Sequence, residues 1–181
     1  GLLDFVLSTA GGMSAPMAMH ARTPKPKAPT RDQLLKRADE GYEAVRQSGA
    51  TLSPQSSEHL AQGIEGTFGP RAATKRLNPK AAIAADEIAG DLRGTPPTIS
   101  DVDESRRWIG QNVAGSKEAS EARLGQQMRS VIDDHLGNLQ PADVTGTNRG
   151  AEVVDTLRDA RSNAHRVHKS DLLEAEDTGL V

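Results

Sequence analysis

The sequence predicts an all-α protein of about six helices with no sheet, and three observations lead there. Apolar residues recur every three or four positions in run after run. The runs open on Ser, Thr or Asn and close on Gly or Pro. No stretch shows the strict two-residue alternation of a half-buried strand.

Composition sets the outer limits. The chain has 181 residues, of which 35% are hydrophobic and 2% aromatic, thin material for one compact core. An extended multi-helix protein that completes its burial against partners is therefore expected. A formal net charge of −3 marks the whole chain as neither a nucleic-acid binder nor an acidic tail. The lack of cysteine excludes disulfides and thiolate metal sites and fits an intracellular origin. No apolar run approaches the roughly 18 residues of a spanning helix.

Taken in order, the chain opens on a short apolar segment, GLLDFVL (residues 1–7), followed by AGGMSAPMAM, which has no period. The first residue is not Met, so a processed chain or a piece of a longer product is expected. A secretory signal would need a basic start that is missing here, which favours a buried or partner-docked end. After Arg22, TPKPKAP carries proline at every second or third place and predicts an extended linker. Residues 1–29 thus form a first region, 30–94 a helical region and 95–181 a C-terminal three-helix module.

The first helix, near 31–48, starts at a capping box of Thr30 and Gln33, carries Leu34, Leu35, Ala38, Tyr42 and Val45, and stops at Gly49. The second, near 54–68, follows the cap-then-proline pair Ser53-Pro54, with Leu60, Ile64 and Phe68 four apart. Asn78-Pro79 repeats the device for an Ala-rich helix near 79–92, and Thr95-Pro96-Pro97 enforces an extended link. Ser100, preceded by Ile99 as a staple, is read as the cap of a helix near 101–114, whose first turn holds Asp101, Asp103 and Glu104. Val102, Ile109 and Val113 share its face, with Trp108 beside them. Burial of Trp108 against the next two helices is expected, with a cost of about 3–5 kcal/mol for Trp108→Ala.

Ser116 is read as the cap of a helix near 117–136, lined by Leu124, Met128, Val131, Ile132, His135 and Leu136. The 138–148 segment, with Pro141 and Gly146, reads as a loop. Asn148 would cap a last helix near 149–176, striped by Val153, Val154, Leu157, Ala160, Ala164, Val167 and Leu172.

Charge is uneven. Arg22, Lys25, Lys27 and Arg31, continued by Lys36 and Arg37, meet one acid, Asp32; Arg71, Lys75, Arg76 and Lys80 meet none. These two clusters are the candidate contacts to nucleic acid or to the acidic helices of a neighbouring copy. Without interleaved aromatics for base stacking, solvated helix ends explain them more simply.

Candidate chemistry is sparse. His165 and His168 stand one helical turn apart, but a helical pair needs further ligands, and no such set accompanies it. Asp133-Asp134 diverge around a helix. There is no G-x-S-x-G, no phosphate-cradling glycine loop and no Cys/His pair. No catalytic, cofactor-binding or metal-binding residue is assigned, and an enzyme is not expected.

The succession ISDVDESRRWIGQ, EARLGQQMRSVIDDHLGNLQPADV and VVDTLRDARSNAHRVHKSDLLEAE resembles a helical segment of phage and prophage virion proteins. In that segment a D-V-D-x-x-R-R-x-I/L-G start leads through A-I-D-D-F-L and P-A-D-V to L-x-x-A-R-x-x-x-x-R-x-x-K-S-x-x-L-x-E-A. The likeness covers residues 99–176, and this chain departs from it at Ser162–His165, where such segments often carry Leu-Trp. It implies a non-enzymatic internal virion or ejection-type protein of a short-tailed bacteriophage, all-helical and present in several copies near the portal–tail axis. Implied with it are a role in genome delivery, synthesis in the bacterial host cytoplasm and a place in the virion. The implied partners are other copies of itself, portal or tail proteins, packaged DNA and transiently a membrane.

Overall fold

A computed structural model describes residues 28–70 and 72–177. The apolar start, most of the Pro-rich linker, and Arg22, Lys25, Lys27 and Arg71 lie outside the described residues, as does the side chain of Leu172.

The described chain is mostly helical. α1 (Arg31–Ser48) begins at the expected capping box: the Gln33 amide donates to Thr30 Oγ1 (3.3 Å) and the Thr30 amide to Gln33 Oε1 (3.0 Å). Gly49, at φ 61°, ends it in the left-handed conformation that glycine adopts without steric cost. α2 (Pro54–Gly66) starts on Ser53, whose hydroxyl accepts from the Ser56 amide at 3.2 Å. A short helix that the sequence reading did not contain, α3 (Ala72–Leu77), leads into α4 (Pro79–Arg93). α5 (Ile99–Asn112), α6 (Ala119–Gly137) and the long α7 (Gly150–Asp177) follow.

Three expected caps move. α5 is capped by Thr98, not Ser100: the Asp101 amide donates to Thr98 Oγ1 (3.1 Å) and the Thr98 amide to Asp101 Oδ2 (2.9 Å). A hydroxyl two residues upstream thus competes with Ser100 and wins, because Asp101 completes the reciprocal pair. Ile99 becomes the first helical residue, buried, with its amide bonded to the Ala50 carbonyl (3.0 Å). Ser116 accepts instead from the Glu118 amide (3.3 Å), ahead of the α6 start, and α7 begins at Gly150 rather than beside Asn148.

A two-stranded ribbon is the other addition to the all-α expectation. β1 (Thr51–Leu52) pairs antiparallel with β2 (Val144–Thr145), Thr51 opposite Thr145 and Leu52 opposite Val144. The Leu52 amide also donates to the Pro97 carbonyl (3.0 Å), and the Ser53 amide to the carbonyl of Asp143 (2.7 Å), the last residue of the 3-10 turn Pro141–Asp143. Three interhelical connections are fastened together there. Two-residue strands leave no periodicity to read.

α1 packs along α7, α2 against α4, and α5 against α6, with α2 and α4 also meeting α6. A continuous core runs through Leu60, Ile64, Ile109, Met128, Ile132 and Leu157, so residues on both sides of position 95 share it. The expectation that narrow stripes could close only against partners does not hold for these helices. They close by close approach instead of bulk: Ala81, Ala82, Ala84, Ala85 and Ala89 are buried on α4, and a Cβ at Gly41 would sit 2.8 Å from the Ala160 Cβ of α7. Small residues at contact positions bring helix axes together, and the shortage of aromatics follows from that.

Trp108 is not in the core. It is 45% exposed, whereas Val102, Ile109 and Val113 are buried. One residue on from the stripe is a rotation of about 100° around the helix, enough to carry the indole out of the packed face. Truncating it should cost about 1 kcal/mol or less, the range of surface positions, in place of the expected core value.

α4 starts without the side-chain cap that Asn78 was placed to give. Its free amides are taken by a residue 40 positions away: the buried Glu121 of α6 accepts from Ala81 N (2.7 Å) and from Lys80 N (3.1 Å). A carboxylate thus meets the positive end of a helix dipole across the packing interface.

Candidate functional site

Charged residues from three separate stretches of the sequence meet in space. Asp133 of α6 accepts from Arg106 Nε of α5 (2.6 Å) and from Arg161 of α7 (2.6 Å), which also donates to the Asp133 carbonyl (3.2 Å). Asp103, buried on α5, pairs with Arg107 at 2.6 Å and approaches Arg106 at 3.7 Å. Burial alone would push the Asp133 carboxyl up, but the hydrogen bonds from Arg161 and Arg106 outweigh it and hold it below the usual carboxylate range. Tyr42 of α1 borders the same place, its phenol pushed up by burial and by the Asp103 charge.

Around this clasp lies an open groove of about 800 Å³ walled by α5, α6 and α7. Five arginines, 106, 129, 158, 161 and 166, line it against two aspartates, 133 and 134. Arg158 leans on Asp155 (2.9 Å), outside the groove. Arg129 is different. Its Nε is buried and finds no acceptor among the described residues, and its side chain passes Gly110 where a Cβ would stand 3.3 Å away. His165 and His168 are exposed on the α7 wall, and no group of three metal-ligating side chains forms among the described residues.

Of the basic residues singled out in the sequence, Arg31 opens α1 and donates to Asp171 of α7 at 2.7 Å. Lys75 on α3 donates to Asp86 of α4 (2.6 Å) and sits 5.6 Å from the Phe68 ring centroid. Arg76 and Lys80 are exposed. The groove arginines form no cluster in the sequence because they are scattered through three helices. One signal was present: Arg158, Arg161, His165 and His168 recur every three or four residues, a second stripe on α7 beside the apolar one.

A second cavity, of about 560 Å³, opens between α2 and α6 and is bordered by His59, His135 and Asp143. Ser56 Oγ lies 2.9 Å from His135 Nε2, and the two imidazoles stand 5.8 Å apart at 50°. Ser56 is buried at the first turn of α2, so its hydroxyl serves as a packing hydrogen bond between helices. Burial first, and then the neighbouring His59, push the His135 pKa below its ordinary 6.5.

A depressed histidine pKa in the folded chain means that the unfolded chain binds the proton more readily. This contribution leaves stability undiminished above pH 6.5 and removes it progressively as pH falls from there through the folded value. Urea midpoints measured from pH 7.5 to 5 should fall with pH, and His135→Gln should flatten that slope. Equal slopes in the two proteins would show that His135 protonates as freely folded as unfolded.

No protein-family model, curated protein or solved structure matches this chain. Among the described residues, no helix is long and apolar enough to cross a membrane.

Proposed function

We propose that this chain is a non-enzymatic structural protein of a bacteriophage virion, of the internal or ejection type, assembled in several copies near the portal–tail axis and involved in genome delivery. The supporting observation is the use to which the shared motif letters are put. The D-V-D and R-R letters supply Asp103, Arg106 and Arg107, D-D supplies Asp133, and A-R supplies Arg161; together these tie α5, α6 and α7 into one unit. P-A-D-V supplies Asp143, whose side chain accepts from the Gln140 amide (2.8 Å), and Val144, which pairs with Leu52. Motif residues spent on holding helices in register support an architectural reading.

The alternative, a nucleic-acid-contacting accessory protein working through residues 22–37 and 71–80, has less behind it, since Arg31 and Lys75 already engage Asp171 and Asp86. Mass spectrometry of purified particles decides the proposal. Peptides from this chain should appear in multiple copies per particle and mark the termini of the parent product. Their absence from particles, with the chain present in infected cells, would refute the virion role.

A further inference from the structure

We propose that the groove between α5, α6 and α7 binds the phosphodiester backbone of duplex DNA, with Arg129, Arg158 and Arg166 as its phosphate ligands. Arg106 and Arg161 are spoken for by Asp133, which leaves Arg129 and Arg166 to face a ligand, together with Arg158, whose partner among the described residues is the exposed Asp155 on its own helix, a pair that a phosphate can displace. Arg129 is the most telling. A half-buried guanidinium with no carboxylate or carbonyl partner among the described residues is unfavourable alone, and an anion entering the groove would offset its charge.

The shape and lining of the groove choose among anions. From Arg158 to His168 the basic stripe on α7 runs about 15 Å at the helical rise, long enough to face several phosphates in succession and too long for one small anion. Tyr42 is the one Phe, Tyr or Trp ring in the lining, and the imidazoles of His165 and His168 sit among the arginines of α7, so an extended platform of large rings of the kind that holds single strands is not formed by these residues. Beyond Tyr42 and Ala164 the lining residues are Arg, Asp, His and Ser, whose charged and polar groups an apolar peptide or an inserted membrane surface would have to strip of water. Planar, fork-shaped donors without base-reading neighbours predict contact that depends on salt and not on sequence. The site is distinct from the linear clusters at 22–37 and 71–80, and it does not depend on the virion reading.

The test is fluorescence anisotropy of a short labelled duplex with the full chain over a series of salt concentrations. Arg158→Ala/Arg166→Ala, two exposed changes, should weaken binding at least tenfold and lower the slope of log K against log salt by about 1.8, roughly 0.9 per lost phosphate contact. Adding Arg129→Ala should lower it by about as much again per contact, with helicity by circular dichroism confirming the fold. Arg76→Ala/Lys80→Ala should change affinity less than twofold. Unchanged binding by the double variant, an equal loss in the Arg76/Lys80 control, or equal binding of poly-glutamate or of anionic phospholipid vesicles through the same arginines would overturn the proposal. Such an outcome leaves the virion reading standing, because that rests on particle composition.

Discussion

Gly125→Leu is expected to destabilise the protein by about 3 kcal/mol or more, the upper end of overpacking costs, because the added side chain meets backbone and not a movable group. A Cβ at Gly125 would run into the Ala114 amide nitrogen and lie 2.8 Å from both the Ala114 Cα and the Val113 carbonyl carbon. The turn that follows α5 rests directly on α6 at this point, so neither side has a rotamer to change. Gly90, in the interior of α4, meets nothing within 4 Å. Gly90→Ala should therefore stabilise, by about 0.5–1 kcal/mol, through helix propensity alone. Two helical glycines with opposite signs, measured by urea midpoints at constant m, test whether space at the Cβ governs the outcome. A neutral Gly125→Leu would mean that α5 and α6 do not approach as described.

Glu121→Ala should cost about 2–4 kcal/mol. Two helix-start amides, Lys80 N and Ala81 N, lose their acceptors together, and the second of these bonds is buried. Each stranded buried donor costs about 1–3 kcal/mol, and loss of a negative charge at the start of α4 adds a further fraction. Glu121→Gln keeps an acceptor oxygen and loses the charge, so it should fall about midway. A drop under about 0.5 kcal/mol for Glu121→Ala would show water reaching these amides. Loss of helicity confined to α4, seen as faster amide exchange from Lys80 to Ala85, is the local signature.

Glu121 also shows where reading a sequence stops. Thr30 with Gln33 and Ser53 with Pro54 were legible because cap and helix are contiguous, so each signal sits next to what it controls. The cap of α4 comes from another helix, and Asn78-Pro79 offered a local explanation that the structure does not use. Helix placement survived because period and breakers agree over many residues. Trp108 did not, because one position decides between the packed face and solvent. The groove was out of reach for the same reason as the Glu121 cap: Arg106, Arg129 and Arg161 become neighbours only after α5, α6 and α7 pack. The linear runs of positive charge at 22–37 and 71–80 are visible in the sequence, but a run in sequence is seldom a patch in space.

The seam between α1 and α7 sets a timetable for synthesis. Arg31 and Asp171, which join the two helices, are 140 residues apart. At about 5–20 residues per second, roughly 7–28 s pass between the emergence of one and the other from a ribosome. Throughout that interval the inward face of α1, with Leu34, Ala38 and Val45, has no α7 to cover it. The first described helix is thus housed only once α7 has emerged, and until then its apolar stripe lacks its main cover. A waiting α1 that met the finished α7 of a second chain would close the same seam between two molecules, the domain-swapped counterpart of this fold.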